Sequence, residues 1–170
     1  DSASPGYFVM PASLLGLITT CLAGDQAAIT ELVELYRSQV FGLCFRMLGH
    51  RQDAEDATQE TFLRVLNNLN QWDQQRPFEP WLLAIASNRC RTAPAKRARR
   101  PHLDSLVETT STADARQQAR DALDEELNLA LNHLRPEHRL AFTLFHHHEK
   151  SYLEIAEILN CPLGTAKTWV

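Results

Sequence analysis

The sequence predicts an all-α protein built as two small helical domains joined by a flexible linker. Apolar residues recur at helical spacing through both halves of the chain. Glycine is scarce, with 6 in 170 residues, while helix-favouring Leu, Ala, Glu, Arg and Gln are abundant. Between the halves, Ser105, Thr109, Thr110, Ser111 and Thr112 cluster and the apolar period lapses. The expected organisation is an N-terminal extension over 1–24, a helical domain over 25–100, a linker over 101–121 and a second helical domain over 122–170.

Elements follow in order. Leu14 to Leu22 is apolar but has no basic leader or cleavage site, so it is a poor signal peptide. The chain opens on Asp1, and Met10 is the expected natural start. Asp25 is placed to cap a helix carrying Ile29, Leu32, Val33, Tyr36 and Val40, then Phe41, Cys44, Phe45 and Leu48. Gly49-His50 punctuates. Asp53 is the expected cap of the next helix, whose stripe is Ala54, Ala57, Thr61, Phe62, Val65, Leu66 and Leu69. Residues 71–77 read as a polar loop. Pro80 suits a first helical turn, and Pro94 ends or kinks the helix that carries Trp81, Leu82, Ile85, Ala86 and Arg89.

In the second half, Leu123, Leu127, Ala130, Leu131 and Leu134 resume the pattern, and Pro136 opens a helix with Leu140, Ala141, Leu144 and Phe145. Ser151 and Glu154 form a capping-box pair ahead of Tyr152, Ile155, Ala156 and Leu159. Asn160-Cys161-Pro162 breaks the chain, and another short helix starts near Leu163 to Thr165.

Composition narrows the function. Hydrophobic content is 44 %, enough for a packed core, and the formal net charge of −4 argues against a uniformly basic coat. No apolar run approaches the roughly 18 residues of a membrane span, so no membrane insertion is expected. Cys21, Cys44, Cys90 and Cys161 are far apart with no CxxC pair, which reads as free thiols in a reducing cytosol. No phosphate-binding glycine loop, nucleophile elbow or paired acid/base carboxylates occur, so no catalytic residue and no cofactor are expected.

Four constellations remain. The two C-terminal short helices fit a helix-turn-helix, or else an ordinary helical hairpin. In the first reading the second helix enters the major groove, with Thr165, Lys167 and Thr168 as hydrogen-bond donors. Arg89, Arg91, Lys96, Arg97, Arg99 and Arg100 crowd twelve residues of a chain with only 17 Lys plus Arg. Such a run attracts a phosphate backbone, and Trp72, Phe78 and Trp81 just upstream suit an unstacked strand. A solvated helix end with Trp81 in the core is the plainer alternative. Asp53, Asp56 and Glu60 share a helix face, flanked by Glu55 and Gln59. Acid at a helix start is favourable in itself, by about 0.3–1 kcal/mol per charge, but such a face also suits a basic partner surface. Finally, His146-His147-His148 cannot share one helix face, so these residues fit a helix C-terminus better than a metal site. A metal-dependent helical enzyme using them with Glu149 is the rival from another class.

The order of these signals resembles a known family. ELVELYRSQVFGLCFRMLGHRQDAEDATQETFLRVLNNL is similar to the core-binding helices of extracytoplasmic-function sigma factors, in the sigma-70 family of RNA polymerase sigma factors. FEPWLLAIASNRCR resembles their −10-reading segment, and LNHLRPEHRLAFTLFHHHEKSYLEIAEILNCPLGTAKTWV their −35-reading domain. The resemblance implies a cytoplasmic, non-enzymatic specificity subunit whose partners are core RNA polymerase, promoter DNA and an anti-sigma factor. It implies that Asp53, Glu55, Asp56, Gln59 and Glu60 face the polymerase clamp. Asn88, Arg89 and Arg91 would lie along the −10 strand, and the loop from Gln71 to Phe78 would help hold an extruded base; Pro94 interrupts a helix that family members often continue toward positions such as Lys96 to Arg100. Thr165, Lys167 and Thr168 would meet the −35 element. Thr92 stands where an acidic residue is common, Trp169 where a basic one is. The recognition helix stops at Val170, so weaker −35 affinity than that of a longer chain is expected. The linker is expected to let the modules span two promoter elements, or to pack together. The alternative function is a helix-turn-helix regulator that binds DNA without polymerase.

Overall fold

The computed structural model describes residues 12–92, 130–131 and 133–170. Among them every regular element is helical: α1 (Ala12–Leu22), α2 (Gln26–Leu48), α3 (Arg51–Asn68), a 3-10 turn (Leu69–Gln71), α4 (Phe78–Thr92), α5 (Pro136–His146), α6 (Tyr152–Leu159) and α7 (Leu163–Trp169). The expected linker over 101–121 lies outside the described residues.

Asp25 caps α2 as expected, its side chain accepting from Ala28 N at 2.9 Å. Gly49 ends that helix at φ 72°, where a Cβ would be strained, and donates its N–H to Phe45 O at 2.8 Å. The reversal is so tight that α3 starts at once. His50 takes the cap position, and Asp53 falls inside the first turn rather than capping. There its charge still complements the exposed N–H groups of the helix start. The stretch read as an N-terminal extension contains α1, which packs on α2 with Ile18 and Cys21 buried.

The stripe expected on α3 is buried at Ala54, Ala57, Thr61, Phe62 and Val65. On α4 the buried set is broader than a single stripe: Leu83, Ser87 and Cys90 join Leu82 and Ala86. The reason is tertiary, since α4 packs against α2, α3 and also α6. Pro80 sits in the first turn of α4, where its missing N–H costs no bond.

The capping box at α6 is complete. Glu154 N donates to Ser151 Oγ at 3.3 Å, and Ser151 N donates to Glu154 Oε2 at 2.9 Å. Burial alone would raise the Glu154 carboxyl, but hydrogen bonds from the Ser151 hydroxyl and N–H, with Lys150 nearby, lower it. Asn160 adopts φ 51°, and Cys161 N donates to Ala156 O at 2.9 Å, closing a three-residue turn into α7. Ala156 and Ala166 are both buried, and such small side chains let the two helices come close.

The second helical unit packs on the first. α6 lies against α4 and α5 against α2, and one apolar cluster runs through both units. Each fully buried Leu in that cluster, such as Leu43, Leu82, Leu140 and Leu144, contributes about 1.5–3 kcal/mol of burial.

Candidate nucleic-acid and partner interface

The acidic start of α3 divides into two edges. Glu55 and Gln59 line a groove against α2, shared with Glu34, Arg37, Phe41 and Arg51. Arg51 Nε lies 2.9 Å from Glu55 Oε1. Asp56 is exposed and accepts a long bond from Gln52 Nε2 at 3.4 Å, and Gln59 is also exposed. Asp53 is half-buried. Glu60 faces the other way. It takes Arg64 Nη2 at 2.6 Å on one oxygen and the guanidinium of Arg89, from α4, on the other. Burial pushes the Glu60 carboxyl up, but the bonds from Arg89 and Arg64 outweigh it and lower it. Glu60 therefore clasps α3 to α4, with its negative charge offset by two guanidinium groups.

Sequence spacing places Arg64 four residues after Glu60, a pair that helical periodicity could have found. It could not have found Arg89, because that contact crosses between helices.

Of the residues expected to meet nucleic acid, Asn88 and Arg91 are exposed on the last turns of α4, and the Arg89 side chain is only 18 % exposed. Lys96, Arg97, Arg99 and Arg100 lie outside the described residues. The aromatic platform is not the one expected. Trp72 and Phe78 are buried, packed edge to face with ring centroids 5.4 Å apart. Neither face is open to a base. Their apolar area outweighs their polar loop setting, and they pin the two ends of the loop instead. Trp81 is half-buried with its ring 5.7 Å from that of Phe78.

On α7, Lys167 and Thr168 are exposed, Thr165 is half-buried, and Ala166 points inward. Thr168 Oγ1 donates to Gly164 O at 2.9 Å, so its hydroxyl offers an external partner its lone pairs. Trp169 does not occupy the outer face. It packs on the core, with its ring 6.3 Å from that of His138.

The three histidines are dispersed. His146 is exposed and rests on Phe142, while His147 and His148 turn toward α2. Among the described residues, no group of three or more His, Cys, Asp or Glu could hold a metal ion. No described helix is long and apolar enough to cross a membrane. Cys44 and Cys90 are buried with their sulfurs 3.6 Å apart, and all four cysteines are free.

This arrangement is an acidic helix start, an arginine-bearing α4 beside it, and two short C-terminal helices joined by a three-residue turn. Residues 32–100 match the family Sigma-70 region 2, and residues 124–170 match Sigma-70, region 4. The chain is 35 % identical to the ECF RNA polymerase sigma factor SigW of Bacillus subtilis, over 85 % of this chain and 84 % of that protein. It is 36 % identical to the ECF RNA polymerase sigma factor SigE of Mycolicibacterium smegmatis, over 85 % of this chain and 59 % of that protein. Among solved structures, CnrH in complex with the cytosolic domain of CnrY superimposes with a TM-score of 0.66 at 24 % identity, covering 91 % of this chain and 87 % of that one. Both sigma regions occur in order, which sets aside a helix-turn-helix regulator working without polymerase. The chain belongs to the extracytoplasmic-function sigma factors of the sigma-70 family, which bind core RNA polymerase and direct it to promoters to initiate transcription.

Proposed function

We propose the following division of labour among the residues of this sigma factor. Residues 25–100 form the module that docks polymerase and reads the −10 element, and residues 122–170 form the −35 module. Asp53, Glu55, Asp56 and Gln59 meet a basic surface of core polymerase. The observation that carries this is the exposed, weakly partnered Asp56 beside the α2–α3 groove that Glu55 and Gln59 line. Glu60 works at the edge of that surface, chiefly by holding Arg89 against the α3–α4 seam.

Asn88, Arg89 and Arg91 follow the −10 strand, with the open side of Trp81 as a stacking face and Lys96, Arg97, Arg99 and Arg100 extending the cationic track. Flipping a base costs a few kcal/mol, which stacking and pocket contacts offset. Lys167 and Thr168, with Thr165 at the groove edge, meet the −35 duplex. The chain works by binding, without catalysis, in the cytoplasm where polymerase acts.

An anti-sigma factor is the expected regulator. The exposed Leu35, on the rim of an otherwise polar groove between α2 and the α5–α6 turn, supports a contact for one apolar side chain of it.

The test is a pull-down with core polymerase. Asp56→Lys places a cation where the partner is basic, and retention should fall at least tenfold, while Asp73→Lys, on the far loop, should leave it unchanged. Equal retention of both variants rejects the assignment.

A further inference from the structure

Two thiols with no part in polymerase or promoter binding face each other inside the first helical unit. Cys44 lies in the C-terminal half of α2 and Cys90 near the end of α4. They are 46 residues apart in sequence, yet the Cys90 thiol donates to Cys44 Sγ at 3.6 Å. Cys44 is 0 % exposed and Cys90 6 %. The other two thiols sit on different elements, Cys21 on α1 and Cys161 in the α6–α7 turn.

Bonded sulfurs lie about 2.05 Å apart, so this pair needs to close by only about 1.5 Å. α2 and α4 already pack on each other, so side-chain rotation with a small shift of the α4 end covers that distance. The pair is also polarised. The hydrogen bond from Cys90 lowers the Cys44 thiol against the opposing pull of burial, with further help from Thr58 and Arg89. In Cys90 the same bond and burial push the thiol up. Cys44 is therefore the sulfur that more readily becomes a thiolate, and Cys90 keeps its proton.

Access comes through the last turn of α4, where Arg91 and Thr92 are exposed. Thr92 Oγ1 donates back to Asn88 O at 3.0 Å and to Arg89 O at 3.2 Å, partly satisfying carbonyls that lack a partner further along the helix. Helix ends open at low cost. Hydrogen peroxide is small enough to enter on a brief lift of this turn.

We infer that Cys44 and Cys90 form an oxidisable dithiol: hydrogen peroxide closes them to a disulfide that ties the end of α4 to α2 and holds Arg89 away from the −10 strand. That last consequence rests on the assignment of Arg89 and Arg91 to the strand proposed above.

The chemistry has two steps. The Cys44 thiolate attacks one peroxide oxygen and the O–O bond breaks. This leaves a sulfenic acid on Cys44 and a hydroxide, which takes the proton that Cys44 released and becomes water. The Cys90 sulfur then attacks the sulfenic sulfur. The S–S bond forms, the S–O bond breaks, and hydroxide leaves with the Cys90 proton as a second water. Two thiols lose two electrons, and one peroxide is reduced to two waters. A thiol reductant reverses the bond by exchange, so the dithiol is the resting state in a reducing cytosol.

Arg89 and Arg91 flank Cys90 on either side. To meet a phosphate, Arg89 has to leave Glu60. A covalent tie at Cys90 removes the freedom of the turn that carries both arginines, and the Glu60 clasp then persists.

Peptide mapping of the full chain tests the bond. The reduced protein is treated with hydrogen peroxide at neutral pH and digested without reductant. A peptide joining Cys44 to Cys90 should appear, two hydrogens lighter than its parts, and should vanish on treatment with dithiothreitol. Linked peptides that involve Cys161 alone, or sulfinic and sulfonic products at Cys44 and Cys90 in place of the link, overturn the dithiol. So does an unlinked pair once Cys161 is fully oxidised. Binding of a single-stranded −10 probe tests the consequence. Oxidised wild type should bind several-fold more weakly than reduced wild type, dithiothreitol should restore it, and Cys90→Ala should be insensitive to peroxide. Equal affinity of the linked and reduced chains overturns the regulatory role. A chain that forms the link but whose reduced form never binds the strand keeps the dithiol and rejects the −10 assignment of Arg89 and Arg91.

Discussion

Phe78→Ala tests how the aromatic cluster supports the −10 module. Phe78 is 2 % exposed, and its ring meets Tyr36, Trp72 and Trp81 at 5.3, 5.4 and 5.7 Å. Truncating a buried Phe costs about 3–5 kcal/mol when the site cannot collapse. Three ring neighbours on different segments resist collapse, and each aromatic pair adds about 0.5–1.5 kcal/mol beyond burial. The expected loss is about 4 kcal/mol, close to a thousandfold in the folding constant. That is a large part of the roughly 5–15 kcal/mol that holds a domain folded. Urea unfolding followed by tryptophan fluorescence reads it directly, since Trp72 lies edge to face with Phe78. With a slope of about 2 kcal/mol/M the midpoint should fall by about 2 M. Because Trp72 and Phe78 pin both ends of the loop, single-stranded −10 DNA affinity should fall alongside. A midpoint shift under about 0.5 M would refute the argument that this ring is the keystone of the loop.

Other expectations concern single groups. Glu60→Gln frees Arg89 from its clasp, so the salt slope of single-stranded DNA binding should steepen by about 0.7, one more phosphate contact; an unchanged slope means Arg89 never reaches the strand. Ser151→Ala removes the hydroxyl of the capping box and should cost about 1 kcal/mol, seen as faster amide exchange in α6. Because the Glu154 carboxyl is lowered on folding, its contribution is present above the ordinary carboxylate range and lost as pH falls below it; acid titration of wild type against Ser151→Ala should show the two stabilities converging. In native conditions an alkylating reagent should label Cys161 first, because it is the one partly exposed thiol, while Cys44 and Cys90 react only on opening. The hydrogen bond to Cys44, and burial, hold the Cys90 thiol protonated.

Local chemistry was enough for much of this molecule. The Asp25 cap, the Ser151-Glu154 box, the break at Asn160 to Pro162 and the buried stripe of α3 each depend on residues within a turn or two of one another. Those are distances over which backbone geometry, not packing, sets the outcome. Family membership was legible for the same reason, since the polar pattern of α3 and the short helices of 151–169 are contiguous stretches.

Packing decided the rest. Helix α1 has a Leu-rich sequence with no charged face, so only its seat on α2 distinguishes it from an apolar tail. Trp72 and Phe78 lie in a polar neighbourhood of sequence yet are drawn inside, because burying two large rings outweighs the pull of their neighbours toward water. Glu60 reads as one member of an acidic face until folding brings Arg89 to it across 29 residues. Arg139 and Met47 are 92 residues apart, and Lys150 and Glu79 belong to different helical units. A long-range ion pair has no period and leaves no mark on either segment that carries half of it. It exists only once the two helical units share a surface.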